Sequence, residues 1–228
     1  MNDVLGQALF DYFHHQSKYK LWIHNQYGEK ETMPIAAFFR EEQDMPDIEW
    51  LALERCEGKV LDIGAGAGSH ALLLQNNKLE VTAMDISPLA VAVMKARNVT
   101  SPIEADIFTY KGYKYDTLLL LMNGIGLAGN LERLKILLLH LKELMNDGGQ
   151  LLFDSSDISY LYDGKPMSDD RYYGEINYQY EYKKQKTEWF KWLYIDEHKM
   201  KGVAESLGFK MEVLLEDEFG QYLARLTI

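Results

Sequence analysis

The residues best placed to do chemistry together are a run of glycines and the acids that close neighbouring strands. Val60-Leu61-Asp62-Ile63 is a short apolar strand, and it runs into Gly64-Ala65-Gly66-Ala67-Gly68-Ser69. Near-alternate glycines at a strand end let a ligand approach backbone that any Cβ would obstruct. The helical run Ser69–Gln75 points its free N–H groups at the same place. Asp85 closes the next strand, Leu79–Met84, about 20 residues beyond Gly64. In a doubly wound sheet an acid there faces the crevice beside the glycine loop and accepts from two ribose hydroxyls. The competing role is helix capping, because Asp85 precedes the helix start Ser87-Pro88.

Other candidates are weaker. Asn123, Asp154 and Ser155 follow the fourth and fifth strands and should face the same crevice, with loop-capping hydrogen bonds as their alternative use. His70 follows the glycine loop, where helix-start packing competes with a role near a substrate. Asn123, Asp154 and His70 are the catalytic candidates. His14 and His15 cannot both face one site from a helix, and His140 lies among Leu137, Leu138 and Leu141. Cys56 is the single cysteine, which leaves no intrachain disulfide and no cysteine-based zinc site, and no metal is expected. Eight of the 15 tyrosines fall between Tyr160 and Tyr194, with Trp189, Phe190 and Trp192 among them. Such an aromatic wall would enclose a flat or cationic acceptor. A hairpin packing one face on the domain, or a homodimer interface, would use the same residues.

The elements that position these residues alternate. After Lys59 the strands Val60–Ile63, Leu79–Met84, Pro102–Ala105, Tyr115–Met122 and Gln150–Phe153 are separated by helical runs. The last of these is Asn130–Met145, closed by Asp147-Gly148-Gly149. Alternation of this kind predicts a three-layer, doubly wound α/β sheet with right-handed crossovers. The first sixty residues read as helices: one after the N-cap Asp3, one opened by Pro34, and one ending near Gly58. Tyr172–Ile195 has a period of two and predicts an inserted antiparallel hairpin. Asp196 then caps a helix ending at Gly208, and Phe209–Glu216 with Gln221–Ile228 forms a closing hairpin. The expected organisation is an N-terminal helical cap over 1–57 and a main domain over 58–228, with the insertion at about 172–195.

Composition sets limits. With 47% apolar and 26% charged residues the chain is globular, and its 228 residues suit one large domain. A net charge of −11 argues against a nucleic-acid partner, which needs clustered Lys and Arg. Lys183, Lys184 and Lys186 are flanked by Glu181 and Glu188 and read as a solvated turn. No run is long enough for a membrane span, and Met1–Phe13 lacks a basic cluster before its apolar positions. A cytoplasmic protein is expected.

Lys59–Asp154 resembles the class I, Rossmann-like S-adenosylmethionine-dependent methyltransferases. The likeness rests on Val60–Gly68, Val81–Pro88, Glu104–Ile107 and Tyr115–Asn123, which match four successive motifs of that family. The closing hairpin is similar to the family's antiparallel final strand. The resemblance implies that Gly64, Ala65, Gly66 and Gly68 run along the methionine moiety, with Asp62 near its ammonium group. It also implies Asp85 on the ribose, Ile86 against adenine, and Asp106 accepting from the adenine amino group beside Ile107. Asn123 joins this cofactor set through the fourth motif, although Gly124-Ile125-Gly126 replaces the aromatic pair that holds an amine in N-methyltransferases. Acids suit this cofactor, which carries a sulfonium, an ammonium and no phosphate. A dinucleotide fingerprint would want its third glycine at position 69, where Ser69 stands. The implied activity is direct in-line methyl transfer to a small-molecule acceptor. The alternatives are a non-catalytic S-adenosylmethionine-binding sensor or scaffold and, further off, an NAD(P)-dependent oxidoreductase.

Overall fold

The computed structural model describes residues 3–16, 18–162 and 171–228. Met1 and Asn2, at the head of the segment read above for a targeting signal, lie outside them. In chain order the first elements are α1 (Val4–Phe13), β1 (Leu21–Asn25), β2 (Glu31–Met33), α2 (Asp47–Glu54) and β3 (Lys59–Ile63). Next come α3 (Ser69–Asn76), β4 (Glu80–Asp85), α4 (Pro88–Ala96), β5 (Pro102–Glu104), β6 (Tyr115–Leu120) and α5 (Leu131–Glu143). The chain continues with β7 (Met145–Ser156), β8 (Glu175–Tyr182), β9 (Gln185–Lys186) and β10 (Phe190–Leu193). It closes with α6 (Glu197–Ser206), β11 (Lys210–Glu216) and β12 (Gln221–Thr227). Two compact units result. The first holds Met1–Pro46, Lys59–Tyr110 and Asn177–Phe190, and the second Asp47–Gly58, Lys111–Ile176 and Lys191–Ile228.

In the first unit β3, β4 and β5 are parallel neighbours, with Ile63 opposite Met84 and Asp85 opposite Glu104. Parallel pairing demands a crossover, and α3 and α4 supply the two. Leu61, Leu74, Ala83, Met84, Val93 and Met94 are fully buried between these elements. Apart from Ala83, each of these side chains contributes about 1.5–3 kcal/mol through burial. Helix α1 lies along α4, and Asp3 fixes it there. One oxygen of Asp3 takes the Gly6 N–H at 3.0 Å, while the other accepts from Ser87 Oγ at 2.7 Å and Leu89 N at 3.3 Å. A single carboxylate thereby serves two helix N-termini, each of which favours negative charge.

In the second unit β6 and β7 are parallel, and β12 runs antiparallel between β7 and β11. The strands β3 to β7, β11 and β12 are the seven of a mixed α/β sheet, in which β12 runs against both of its neighbours. This is the α/β fold with an antiparallel C-terminal strand that the sequence predicts.

Three details differ from the sequence reading. The N-terminal segment is not helical throughout, because β1 and β2 form an antiparallel pair and β1 also pairs with β8. The β1–β2 turn is set by Asn25 Oδ1, which takes the N–H groups of Tyr27 at 2.8 Å and Gly28 at 3.0 Å. Residues Ile35–Phe39 form a 3₁₀ turn in place of an α-helix. Helix α5 stops at Glu143, and Asp147-Gly148-Gly149 lies within β7 at a register shift. Gly148 has φ +78°, and Gly149 leaves only 3.1 Å between a would-be Cβ and the carbonyls of Tyr115 and Asp116. The glycines therefore serve a bulge and not a helix cap.

Candidate functional site

The first unit brings the glycine loop and the strand-end acids together. Gly64, Gly66 and Gly68 have φ of +76°, +56° and +82°, a backbone that side-chain-bearing residues resist. The turn is held by N–H groups of Gly64 and Ala65 on the Met84 carbonyl, both at 2.9 Å. The three glycines answer different demands. A Cβ on Gly68 would meet Val99 Cγ2 at 2.8 Å and Met94 Cγ at 3.0 Å, and one on Gly66 would meet the Phe38 ring at 3.3 Å. A Cβ on Gly64 would project into open space, so nothing in the protein requires glycine there except the backbone angle.

Asp62 sits at the penultimate position of β3 and is 2% exposed. Its carboxyl takes the Ala71 N–H from the first turn of α3, yet Oδ2 has no protein partner. Burial pushes this carboxyl up to about 6; His70 pulls it down and the Asp85 charge pushes it further up. A buried, half-satisfied carboxylate is costly unless a donor completes it. His70, buried on the first turn of α3, is the only nearby base that acts on it among the described groups.

Asp85 does cap, and does more. Oδ1 takes the Ser87 N–H and Oδ2 the Gly66 N–H, both at 2.8 Å. It thus ties the glycine loop to the start of α4, where Ser87 caps Ala90 at 2.9 Å and Pro88 occupies the first turn. Burial pushes Asp85 above the usual carboxylate range against the pull of those N–H groups. A carboxylate has about four lone-pair sites, so acceptor capacity remains for a hydroxyl. Ile86 beside it is 63% exposed, an unusual state for an isoleucine at the mouth of a loop. Asp106 is exposed and uses Oδ1 on the Phe108 N–H at 3.0 Å, while Ile107 is buried.

Sequence reasoning missed the clamps on this loop. Arg97 Nη1 donates to the Ala67 carbonyl at 2.7 Å and to Ser69 Oγ at 3.1 Å. Ser69 Oγ donates to the Phe38 carbonyl at 2.9 Å, and the Arg97 guanidinium lies over the Phe39 ring at 5.1 Å. Arg97 caps the end of an apolar helix and Phe38 lies within a 3₁₀ turn, so neither carries a local sequence signal.

In the second unit Asn123 and Asp154 meet. The Asn123 N–H donates to both Asp154 oxygens at 2.9 Å, and Gln221 Nε2 donates to Oδ2 at 3.0 Å. Asp154 is 1% exposed; burial pushes it up to about 6, with the Glu49 charge adding to the rise and these donors opposing it. Ser155 Oγ accepts the Ile195 N–H at 3.0 Å, a structural bond. Tyr172 and Tyr173, from the tyrosine-rich stretch, hydrogen-bond Asp196 at 2.5 and 3.1 Å, and Tyr173 also reaches Asp157 at 2.8 Å. These phenols brace the N-terminus of α6. Among the described residues no three His, Cys, Asp or Glu side chains are grouped to hold a metal ion, and no helix is long and apolar enough to cross a membrane.

Comparison with known proteins bears directly on this arrangement. Residues 35–214 match a family model described as a methyltransferase domain. The chain is similar to a SAM-dependent methyltransferase from Bacteroides fragilis, solved in complex with S-adenosyl-L-homocysteine. Identity is 39%, the TM-score is 0.92, and 99% of this chain and 94% of that one are covered. The fold is shared with a sugar N-methyltransferase from Streptoalloteichus (16% identity, TM-score 0.57, 87% and 94% covered). It is also shared with an amino pentose methyltransferase from Micromonospora echinaspora (13%, 0.55, 88% and 100%). A search of curated proteins finds no match. The chain belongs to the methyltransferase-domain family, and it is an S-adenosylmethionine-dependent methyltransferase.

Proposed function

We propose that the first unit holds S-adenosylmethionine through Asp62, Gly64, Ala65, Gly66, Gly68, Asp85, Ile86, Asp106 and Ile107, and that the methyl acceptor is a small molecule. The observation that carries the donor assignment is the orphaned Oδ2 of buried Asp62 at the strand end leading into Gly64, whose Cβ direction is empty. An ammonium supplies the missing donor at Asp62, and the methionine chain uses the space that a side chain on Gly64 would take. Asp85 retains acceptor capacity for ribose hydroxyls, and exposed Ile86 offers an apolar face to adenine. When bound, the donor supplies a sulfonium methyl whose carbon bonds to the acceptor's lone pair while sulfur keeps the electrons of the broken bond as a neutral thioether. The protein's share is alignment and exclusion of water. A small acceptor is supported by the net charge of −11, which disfavours a polyanionic substrate. A cytoplasmic location belongs to the same reading, supported by a sequence whose single cysteine, Cys56, forms no intrachain disulfide.

Two experiments test the donor site. Asp85→Ala is expected to weaken S-adenosylhomocysteine binding by about 1–3 kcal/mol in calorimetry, the cost of losing hydrogen bonds to a charged group. Unchanged affinity in a folded variant would refute the ribose assignment. The second uses pH. Asp62 must be ionised to pair with an ammonium, and its carboxyl titrates at about 6. Affinity should therefore hold above that value and fall toward about tenfold per pH unit below it. Asp62→Asn should bind more weakly and show a shallower acid limb; an identical limb in the variant would locate the proton elsewhere. In the free protein the sign reverses. The folded carboxyl keeps its proton between the ordinary aspartate value of 3.8 and about 6, so Asp62 lowers stability as pH rises through that window.

A further inference from the structure

The glycine loop is also held from outside its own strand. Arg97, the C-cap of α4, donates from Nη1 to the Ala67 carbonyl and to Ser69 Oγ, where the loop becomes α3. The Ser69 hydroxyl in turn donates to the Phe38 carbonyl, and the Phe38 ring stands against Gly66. The guanidinium covers Phe39, whose ring also meets Tyr12 and Phe13 of α1 at centroid distances of 4.8 and 6.5 Å. The loop's other bonds differ in kind. Gly64 and Ala65 give their N–H groups to Met84, Gly66 gives its N–H to Asp85, and Gly68 gives its N–H to Ala65 at 2.8 Å. Each of these engages a loop N–H, whereas Arg97 engages a loop carbonyl with a charged donor. Such a hydrogen bond is about twice as strong as a neutral one. It matters most beside Gly66 and Gly68, because glycine restricts its own backbone least.

We propose that Arg97 is a positioning residue for the methyl donor: through Ala67 and Ser69 it presets the glycine loop in the conformation that the donor binds. The proposal rests on the donor reading and adds a residue outside its contact set. A loop shaped in advance spares the ligand the cost of ordering it. Without the guanidinium, Ala67 and its glycine neighbours reach other backbone states, and affinity falls with the fraction that stays competent. A guanidinium stays charged at any working pH, so this clamp adds nothing to the acid limb assigned to Asp62.

The test compares ¹⁵N-labelled wild type with Arg97→Met and Arg97→Lys, each held well below its melting temperature. Methionine keeps an apolar stem against Phe39 but offers no donor, so a role confined to packing predicts an undisturbed loop. Lysine restores the charge and one hydrogen bond. Arg97→Gln, a shorter neutral donor, repeats the comparison where methionine leaves too little folded protein. In ligand-free Arg97→Met the Gly66 and Gly68 amide signals are expected to broaden or shift, and S-adenosylhomocysteine should restore them. Its affinity for that ligand should fall about tenfold, while Arg97→Lys stays within about threefold of wild type. Unperturbed glycine signals in a folded Arg97→Met protein, undiminished affinity, or a lysine variant no tighter than methionine would each overturn the proposal. Wild-type protein that takes up no S-adenosylhomocysteine would instead overturn the donor assignment, and the glycine signals would still read what Arg97 does to the loop.

Discussion

Gly64→Ala is expected to yield a folded protein that binds S-adenosylhomocysteine about 10- to 100-fold more weakly than wild type. The new methyl meets no protein atom within 4 Å, so packing does not oppose it. The φ of +76° does, at roughly 1–2 kcal/mol, which lowers the melting temperature of a chain this size by a few degrees (about 2–8 °C). The ligand suffers more. If the methionine chain passes over Gly64, the methyl occupies its path, and overpacking there costs about 1–3 kcal/mol of binding. Calorimetry and a melting curve on the same sample separate the two effects. A modest melting shift with undiminished affinity would show that the open space beside Gly64 belongs to nothing that binds.

Gly68→Ala should behave in the opposite way. Its methyl would stand 2.8 Å from Val99 Cγ2 and 3.0 Å from Met94 Cγ, on a backbone at φ +82°. Strain of about 1–2 kcal/mol and overpacking of about 1–3 kcal/mol together predict a stability loss of about 2–5 kcal/mol by denaturant titration. Binding to the fraction that stays folded should change less than in Gly64→Ala. The two glycines are four positions apart in one motif, one with open space beside it and the other packed against Val99 and Met94. A Gly68→Ala protein as stable as wild type would mean that α4 and Val99 yield at little cost.

This contrast shows where sequence reasoning reached and where it stopped. Alternating strand and helix from Lys59 onward, and the antiparallel closing hairpin, were legible because each follows a strong local rule: apolar runs for buried parallel strands, Ser87-Pro88 and Asp196 as helix starts, Gly208 as a stop. The glycine spacing located the loop but could not say which glycine faces a ligand, since that depends on Val99, Met94 and Phe38 arriving from elsewhere. The choice between ribose and capping for Asp85 was posed too sharply, because its two oxygens serve the loop and the helix start together. Strand β1 was hidden: five residues, Leu21–Asn25, are too short for periodicity to speak, and their partner Tyr178–Glu181 is distant in the chain. The clamps at Arg97 and Phe38 lack a sequence signature for the same reason. Their roles come from long-range contacts, not from residue type.

The central claim is that a half-satisfied buried acid and an unobstructed glycine receive the amino-acid end of S-adenosylmethionine. A crystal structure of the complex with S-adenosylhomocysteine tests it most directly. The ligand's amino group is expected at hydrogen-bonding distance from Asp62 Oδ2, its methionine chain over Gly64 and its ribose hydroxyls on Asp85. A ligand seated with Asp62 Oδ2 still unpartnered and Gly64 uncovered would contradict it.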